Sequence, residues 1–224
     1  MDRVYSSTQR DHESREGRNQ EITRKRIAIL ISGRGSNMAA LADAIQNGAV
    51  PNAQVVLVVS DQATAAGLQL AREREIATAI IERSGRSRAE HEREIIATLQ
   101  KYNVDLICLA GYMRLLSSCF VQAYPQRILN IHPSLLPSFP GLDAQRQAIE
   151  HGVKWTGCTV HLVDTTLDGG PIIAQRAVAV LDDDTEATLS KRLLAEEHLL
   201  YPEALSLIVS GNYQVVGRRV LRKN

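Results

Sequence analysis

Short apolar runs and helical stripes alternate along the first half of the chain. Ile27-Ala28-Ile29-Leu30-Ile31 is unbroken by polar residues, as expected of a strand buried on both faces. From Asn37 to Asn47 the apolar positions Met38, Leu41, Ala42 and Ile45 fall on one helical stripe. A second apolar run follows at Gln54 to Ser60, then a helical stretch at Ala65 to Glu75 and a short strand at Thr78 to Ile81. Arg86 to Tyr102 reads as a charged amphipathic helix, and Asp105 to Ala110 as a fourth strand. This alternation predicts an α/β fold built on a single doubly wound, mostly parallel, Rossmann-like sheet. Such sheets hold ligands beyond the carboxyl ends of their strands.

Beyond Arg127 the rhythm loosens. Ile128 to Ile131 is a short strand, Leu142 to His151 is helical, Thr156 to Val163 alternates with period two, and Ile172 to Val180 is a further strand. These elements predict a mixed C-terminal extension of the sheet. Glu186 to Val209 forms a long amphipathic helix, which Pro202 is expected to interrupt because it lacks an amide donor. Tyr213 to Val216 is predicted to be one edge strand before a frayed basic end. At the other terminus, residues 1–25 hold, after Met1, only three large hydrophobes, Val4, Tyr5 and Ile22. So little apolar area does not offset ordering entropy, so a disordered tail is expected ahead of one domain over residues 26–224.

Composition narrows the function. A length of 224 residues suits one sizeable core. With 26 basic and 25 acidic residues the net charge is +1, so no global field recruits nucleic acid or an anionic membrane. No leading apolar segment resembles a signal peptide, and no stretch has the length to span a bilayer. Cys108, Cys119 and Cys158 are widely spaced and odd in number, which suits reduced thiols in the cytoplasm better than disulfides. No histidine or cysteine cluster has metal-ligand spacing, so no metal is expected.

The densest chemistry lies at Leu129-Asn130-Ile131-His132-Pro133-Ser134-Leu135-Leu136-Pro137 and, farther on, at Leu167-Asp168-Gly169-Gly170. Asn130 and His132 are two apart on a strand end, so their side chains share a face. Pro133 and Pro137 stop regular structure and make the exit loop rigid. Asp168, in a Gly-Gly-Pro turn, is placed to return to the imidazole, and a carboxylate there favours the imidazolium. An amide donor and an acid suit a carbonyl turning into an oxyanion. A histidine before proline is otherwise commonly structural, and His161 and His198 are assigned supporting or packing roles. Ser134 lacks a nucleophile elbow around it.

Gly33-Arg34-Gly35-Ser36-Asn37 leaves the first strand and opens the first helix, a context in which glycine backbone and helix amides attract an anion. It has neither the Lys-Ser/Thr of a P-loop nor the third glycine of a dinucleotide fingerprint. A tight turn with Ser36 or Asn37 as N-cap accounts for the same residues.

With both anchors in order, the chain resembles the folate-dependent formyltransferases, most closely the branch that acts on glycinamide ribonucleotide; the similarity runs from about Arg26 to about Gly211. The resemblance implies transfer of a formyl group from 10-formyltetrahydrofolate to the amine of that nucleotide. It implies catalytic roles for Asn130, His132 and Asp168. Gly35, Ser36 and Asn37 would hold the substrate phosphate and Glu197 would meet its amine end. The folate would be lined by Arg88, Met113, Arg114, Leu115, Leu116 and Asn130, under a loop of Asp164, Thr165, Thr166, Leu167 and Asp168. Leu194 departs from the pattern, because family members often carry a polar residue there. The implied partners are these small molecules alone, with no nucleic acid and no membrane, in a monomer or homodimer. Methionyl-tRNA formyltransferase and formyltetrahydrofolate hydrolase are rivals within the chemistry. Each is expected to carry a further domain that this sequence does not supply. A nucleotide-binding module without catalysis would need only the glycine loop.

Overall fold

The computed structural model describes residues 24–223. The expected tail therefore lies outside the described residues, apart from Arg24 and Lys25, and Lys25 already opens the first strand.

The first half alternates strand and helix as the pattern predicts: β1 (Lys25–Ile31), α1 (Ser36–Gln46), β2 (Ala53–Ser60), α2 (Ala66–Glu73), β3 (Thr78–Ile80), α3 (Arg88–Lys101) and β4 (Leu106–Leu109). Then come α4 (Ser118–Ala123), β5 (Ile128–His132), α5 (Ala144–Glu150), β6 (Trp155–Leu162), β7 (Ile172–Ala179), α6 (Glu186–Ser210), β8 (Tyr213–Val216) and β9 (Arg219–Arg222). One sheet joins all the strands in the order β3-β2-β1-β4-β5-β6-β7-β9-β8. Strands β3 to β5 are parallel, and β6 and β7 continue antiparallel, which is the mixed extension expected.

The two-sided burial of β1 shows how the apolar run works. Ile27, Ile29 and Ile31 face one core with Met38, Leu41 and Tyr201, while Ala28 and Leu30 face a second with Ile95, Leu99 and Phe120. Helices thus cover both faces of the sheet. Side chains buried this fully contribute about 1.5–3 kcal/mol each.

Two expectations about local structure need correction, and one helix is new. Helix α6 is not broken at Pro202, which lies inside a continuous 25-residue helix. Leu189, Leu193, Glu197, Tyr201 and Leu205 recur every fourth residue and are buried, as are Ala204, Ile208 and Val209 beyond the proline. Burying that stripe outweighs the ~3 kcal/mol a helix-interior proline costs. The basic end is not frayed either. Arg219–Arg222 forms β9, antiparallel to β8, and Ile172 of β7 pairs in parallel with Arg219. The turn is Gly217-Arg218, with Gly217 at φ 59° supplying the positive angle a tight hairpin needs at its first position. Helix α4 was not anticipated. It is only six residues long and is capped by the Ser117 hydroxyl, which accepts from the Phe120 amide.

Strand order places the ligand crevice. Starting from β1 the chain winds first to β2 and β3, then crosses to β4 and β5, so order reverses between β1 and β4. The loops leaving those two strands separate at this switch point and open a cleft beyond the carboxyl ends. Both loops carry residues singled out above.

Candidate active site

Strand β5 delivers Asn130 and His132 to one face, as period two requires. Its antiparallel neighbour β6 sets His161 opposite Asn130 and Thr159 opposite His132. The turn after β6 then folds back. Asp168 adopts φ 47°, and its Oδ2 lies 3.5 Å from His132 Nδ1 while accepting from the Gly141 amide at 2.8 Å. Gly170 must be glycine for this return, since a Cβ there would sit 1.9 Å from the Leu162 carbonyl oxygen. The three residues assigned to catalysis are thus brought together from two segments. His132 is buried, and its Nε2 meets the Phe139 carbonyl at 2.8 Å.

His161 belongs to the same cluster. Its Nε2 is 3.2 Å from Asn130 Nδ2 and 3.7 Å from Asp168 Oδ1, and its Nδ1 is 3.0 Å from the Leu162 carbonyl. The Leu162 carbonyl and then Asp168 favour the charged ring, but burial outweighs them, pushes the pKa down and keeps the ring neutral. A neutral ring beside a carbonyl carries its proton on Nδ1, so Nε2 accepts from the Asn130 amide and orients it. The supporting role expected of His161 therefore takes a specific form. It was visible only once strand register was known. His198, by contrast, is on α6 with a buried Nε2 that has no hydrogen-bond partner.

The glycine loop leaves β1 and packs against the start of α2. Gly35 sits at φ 76°, and a Cβ on it would lie 2.4 Å from Gly67 Cα, while the Gly67 amide donates to the Gly33 carbonyl at 3.0 Å. Gly35 itself is the N-cap of α1 and no side chain caps the helix, so neither Ser36 nor Asn37 plays the cap role. No acidic residue occupies the first turn. The helix start therefore keeps unsatisfied amides, the arrangement that attracts an anion. Asn37 turns elsewhere: its Nδ2 donates to Glu197 Oε2 at 2.7 Å. The structure thus joins two residues that were expected at opposite ends of a nucleotide. Glu197 is buried, and desolvation pushes its pKa up against the opposing pull of Asn37, His132 and Arg34.

The loop leaving β4 is tied to the glycine loop: Ser32 donates its amide to the Gly111 carbonyl and its hydroxyl accepts from the Met113 amide. Beyond that point Met113 and Leu115 are 68% and 63% exposed, so they are not the core residues that an apolar run after a buried strand usually supplies. Leu116 does pack on the core. Leu142 and Leu167 add exposed apolar surface on the loops nearest Asp168. Arg88, the first residue of α3, donates to the Leu115 carbonyl and to Glu92. Arg114 pairs with buried Asp61 at 2.8 Å. Both arginines therefore brace the loop as well as lining a cavity with Arg83, His91, Glu92, Tyr112, Met113 and Leu115. On the opposite loop, Asp164 accepts from the Thr166 amide, and Thr165 and Thr166 are exposed. Cys108 and Cys158 are buried and their thiols are pushed up to about 12, so they pack and do not react.

A cleft at a sheet's switch point, with an amide, an imidazole and a carboxylate converging beside an anion-seeking helix start, is the equipment of a group-transfer enzyme acting at a carbonyl carbon. Residues 25–205 match the sequence model of the formyl transferase family, and the chain belongs to it. The trifunctional purine biosynthetic protein adenosine-3 of Drosophila melanogaster is 48% identical over 190 residues, covering 84% of this chain and 14% of that protein. Phosphoribosylglycinamide formyltransferase of Escherichia coli (strain K12) is 43% identical over 190 residues, covering 84% of this chain and 89% of that one. Glycinamide ribonucleotide transformylase 1 from Symbiobacterium toebii superposes with a TM-score of 0.88 at 49% identity, over 90% of this chain and 95% of that chain. This chain thus spans a small fraction of the trifunctional Drosophila relative and most of the length of the Escherichia coli and Symbiobacterium toebii ones. Among the described residues, no helix is long and apolar enough to cross a membrane.

Proposed function

We propose that this protein transfers the formyl group of 10-formyltetrahydrofolate to the primary amine of glycinamide ribonucleotide, in the cytoplasm and as a step of purine biosynthesis. The observation that carries this reading is the convergence of Asn130, His132 and Asp168 beside a glycine-loop helix start, in a chain of the formyl transferase family.

The donor set fits the two substrates. The free amides at Gly35 to Asn37 suit a phosphate dianion. Asn37 holds Glu197 by one oxygen, which leaves the other to accept from a hydroxyl or amine of the bound nucleotide. Exposed Met113, Leu115 and Leu167 suit the flat face of a pterin, whose ring edge the backbone of the β4 loop can read. Holding amine and formyl carbon together turns an encounter into a near-unimolecular step, worth on the order of several kcal/mol. Attack by the amine places negative charge on the formyl oxygen. The Asn130 amide, oriented by His161, and a protonated His132, held against Asp168, stabilise that charge. Asp168 takes up the proton the amine must lose, directly or through water, and the departing folate nitrogen takes a proton back by the same route.

A hydrolase of the same formyl donor would use the same three residues. It would have no need of an anion site at α1 or of the Asn37–Glu197 pair. Mixing purified protein with 10-formyltetrahydrofolate and following the absorbance of the deformylated product separates the two. Signal only when glycinamide ribonucleotide is present supports transfer, and signal without it overturns the reading.

A further inference from the structure

The loop after His132 is held by a side chain that no part of the proposed chemistry uses. Strand pairing between β5 and β6 ends at His132 and Thr159. Just beyond it, the Thr159 hydroxyl donates to the Ser134 carbonyl at 2.7 Å and accepts from the Leu136 amide at 3.0 Å. Gln175 of β7, paired with Thr159 across the sheet, completes the arrangement. Its Nε2 donates to the Leu136 carbonyl at 2.9 Å and to the Thr159 hydroxyl at 2.9 Å. One proton and two lone pairs are all that a threonine hydroxyl offers, so Thr159 is fully engaged, and both hydrogens of the Gln175 amide are in use. Downstream, the Ser138 amide donates to the Leu135 carbonyl, Ser134 donates to the Ser138 carbonyl, and the Phe139 carbonyl meets His132 Nε2. A chain of contacts therefore runs from Gln175 through Thr159 and the loop to the imidazole.

We propose that Gln175 is a positioning residue for His132: by pinning Leu136 and Thr159 it holds the Ser134–Phe139 loop whose carbonyl sets the ring. The inference rests on the role given to His132 above. Gln175 touches neither substrate in that reading, and its exposed place on β7 lets it be changed without opening the core. Its contribution is to the geometry of the acid, so it is felt in turnover, where a displacement of about 1 Å costs up to ~100-fold.

Two variants test this. Gln175→Met removes both donors. Gln175→Glu keeps the size but, when ionised, presents only acceptors to a carbonyl and a hydroxyl already in use; once protonated it donates again. Both variants are expected to unfold within a few degrees of wild type and to lose kcat about tenfold near neutral pH, with either KM changed less than about threefold. For Gln175→Glu, the kcat ratio to wild type is expected to recover as pH falls and the carboxyl takes up its proton, while Gln175→Met stays low. A loss that simply follows reduced thermal stability and ignores pH overturns the proposal, as does wild-type kcat in both variants. The hold on the ring is also read without turnover. In ¹⁵N-labelled protein the His132 Nε2 proton is expected to be slow to exchange in wild type and fast in Gln175→Met; equal exchange overturns the proposal. An inactive wild type with that exchange difference would sink the assigned reaction and leave the positioning intact.

Discussion

Asp168→Asn isolates the charge that the site sets against His132. The substitution keeps size and leaves an oxygen able to accept from the Gly141 amide, but removes the negative charge 3.5 Å from His132 Nδ1. A unit charge pair at that distance is worth about 5 kcal/mol at an effective dielectric constant of ~20, and about 1 kcal/mol if water screens it fully. The Asp168 side chain is only 11% exposed and that of His132 6%, so water screens the pair incompletely and the value lies between these limits. Each 1.36 kcal/mol is about a factor of ten in rate, so kcat is expected to fall by ~100-fold or more. Both KM values should move far less, because the charge matters most once the formyl oxygen becomes anionic. Steady-state kinetics with each substrate varied in turn, beside a thermal melt, is the assay. A variant that melts like wild type and keeps kcat within threefold would refute the assignment of Asp168 to the transition state.

Gly35→Ala is expected to lose several degrees of Tm and to raise the nucleotide KM, since its Cβ meets Gly67 Cα at 2.4 Å in a positive-φ residue; an unchanged melt would show that the loop is loose. Exposed Met113 and Leu115 changed together to Ser should raise the folate KM about tenfold or more with the nucleotide KM nearly constant, from roughly 1–3 kcal/mol of lost apolar contact; the reverse pattern in kinetics would move the pterin elsewhere. Burial depresses the His161 pKa, so the folded state resists a proton that the unfolded chain accepts below about 6.5. Its stabilising contribution is present above that pH and lost as pH falls. His161→Gln should flatten the decline of Tm between about pH 7 and 5.5; melts with equal slopes would show that another group controls it.

The parallel half of the fold was legible because its strands are buried on both faces and its helices on one, so hydrophobicity alone marks each element. Helix α6 was misread at Pro202 because a local rule about a missing amide ignores a stripe of burial that only the tertiary structure reveals. Strand β9 was missed because its residues, Arg-Val-Leu-Arg, lie on a solvated hairpin whose support comes from pairing with β8 and β7. In the site, Asn130 and His132 declared themselves through a period of two along a single strand, and Asp168 through the glycines that let its turn return. His161, Thr159 and Gln175 carry no such signal. They enter the site through antiparallel register, a property of two segments that neither segment's sequence displays. The Asn37–Glu197 bond, spanning 160 residues between α1 and α6, is of the same kind.

In the proposed reaction the formyl group passes to the nucleotide's amine and not to water. The most direct measurement is ¹³C NMR of a single reaction in which the formyl carbon of 10-formyltetrahydrofolate is labelled and glycinamide ribonucleotide is in excess. The label is expected to move into a new secondary formamide on the nucleotide, at a rate that falls in His132→Ala and Asp168→Asn as their turnover does. Label appearing as free formate, or transfer to the nucleotide that both variants sustain at the wild-type rate, would contradict it.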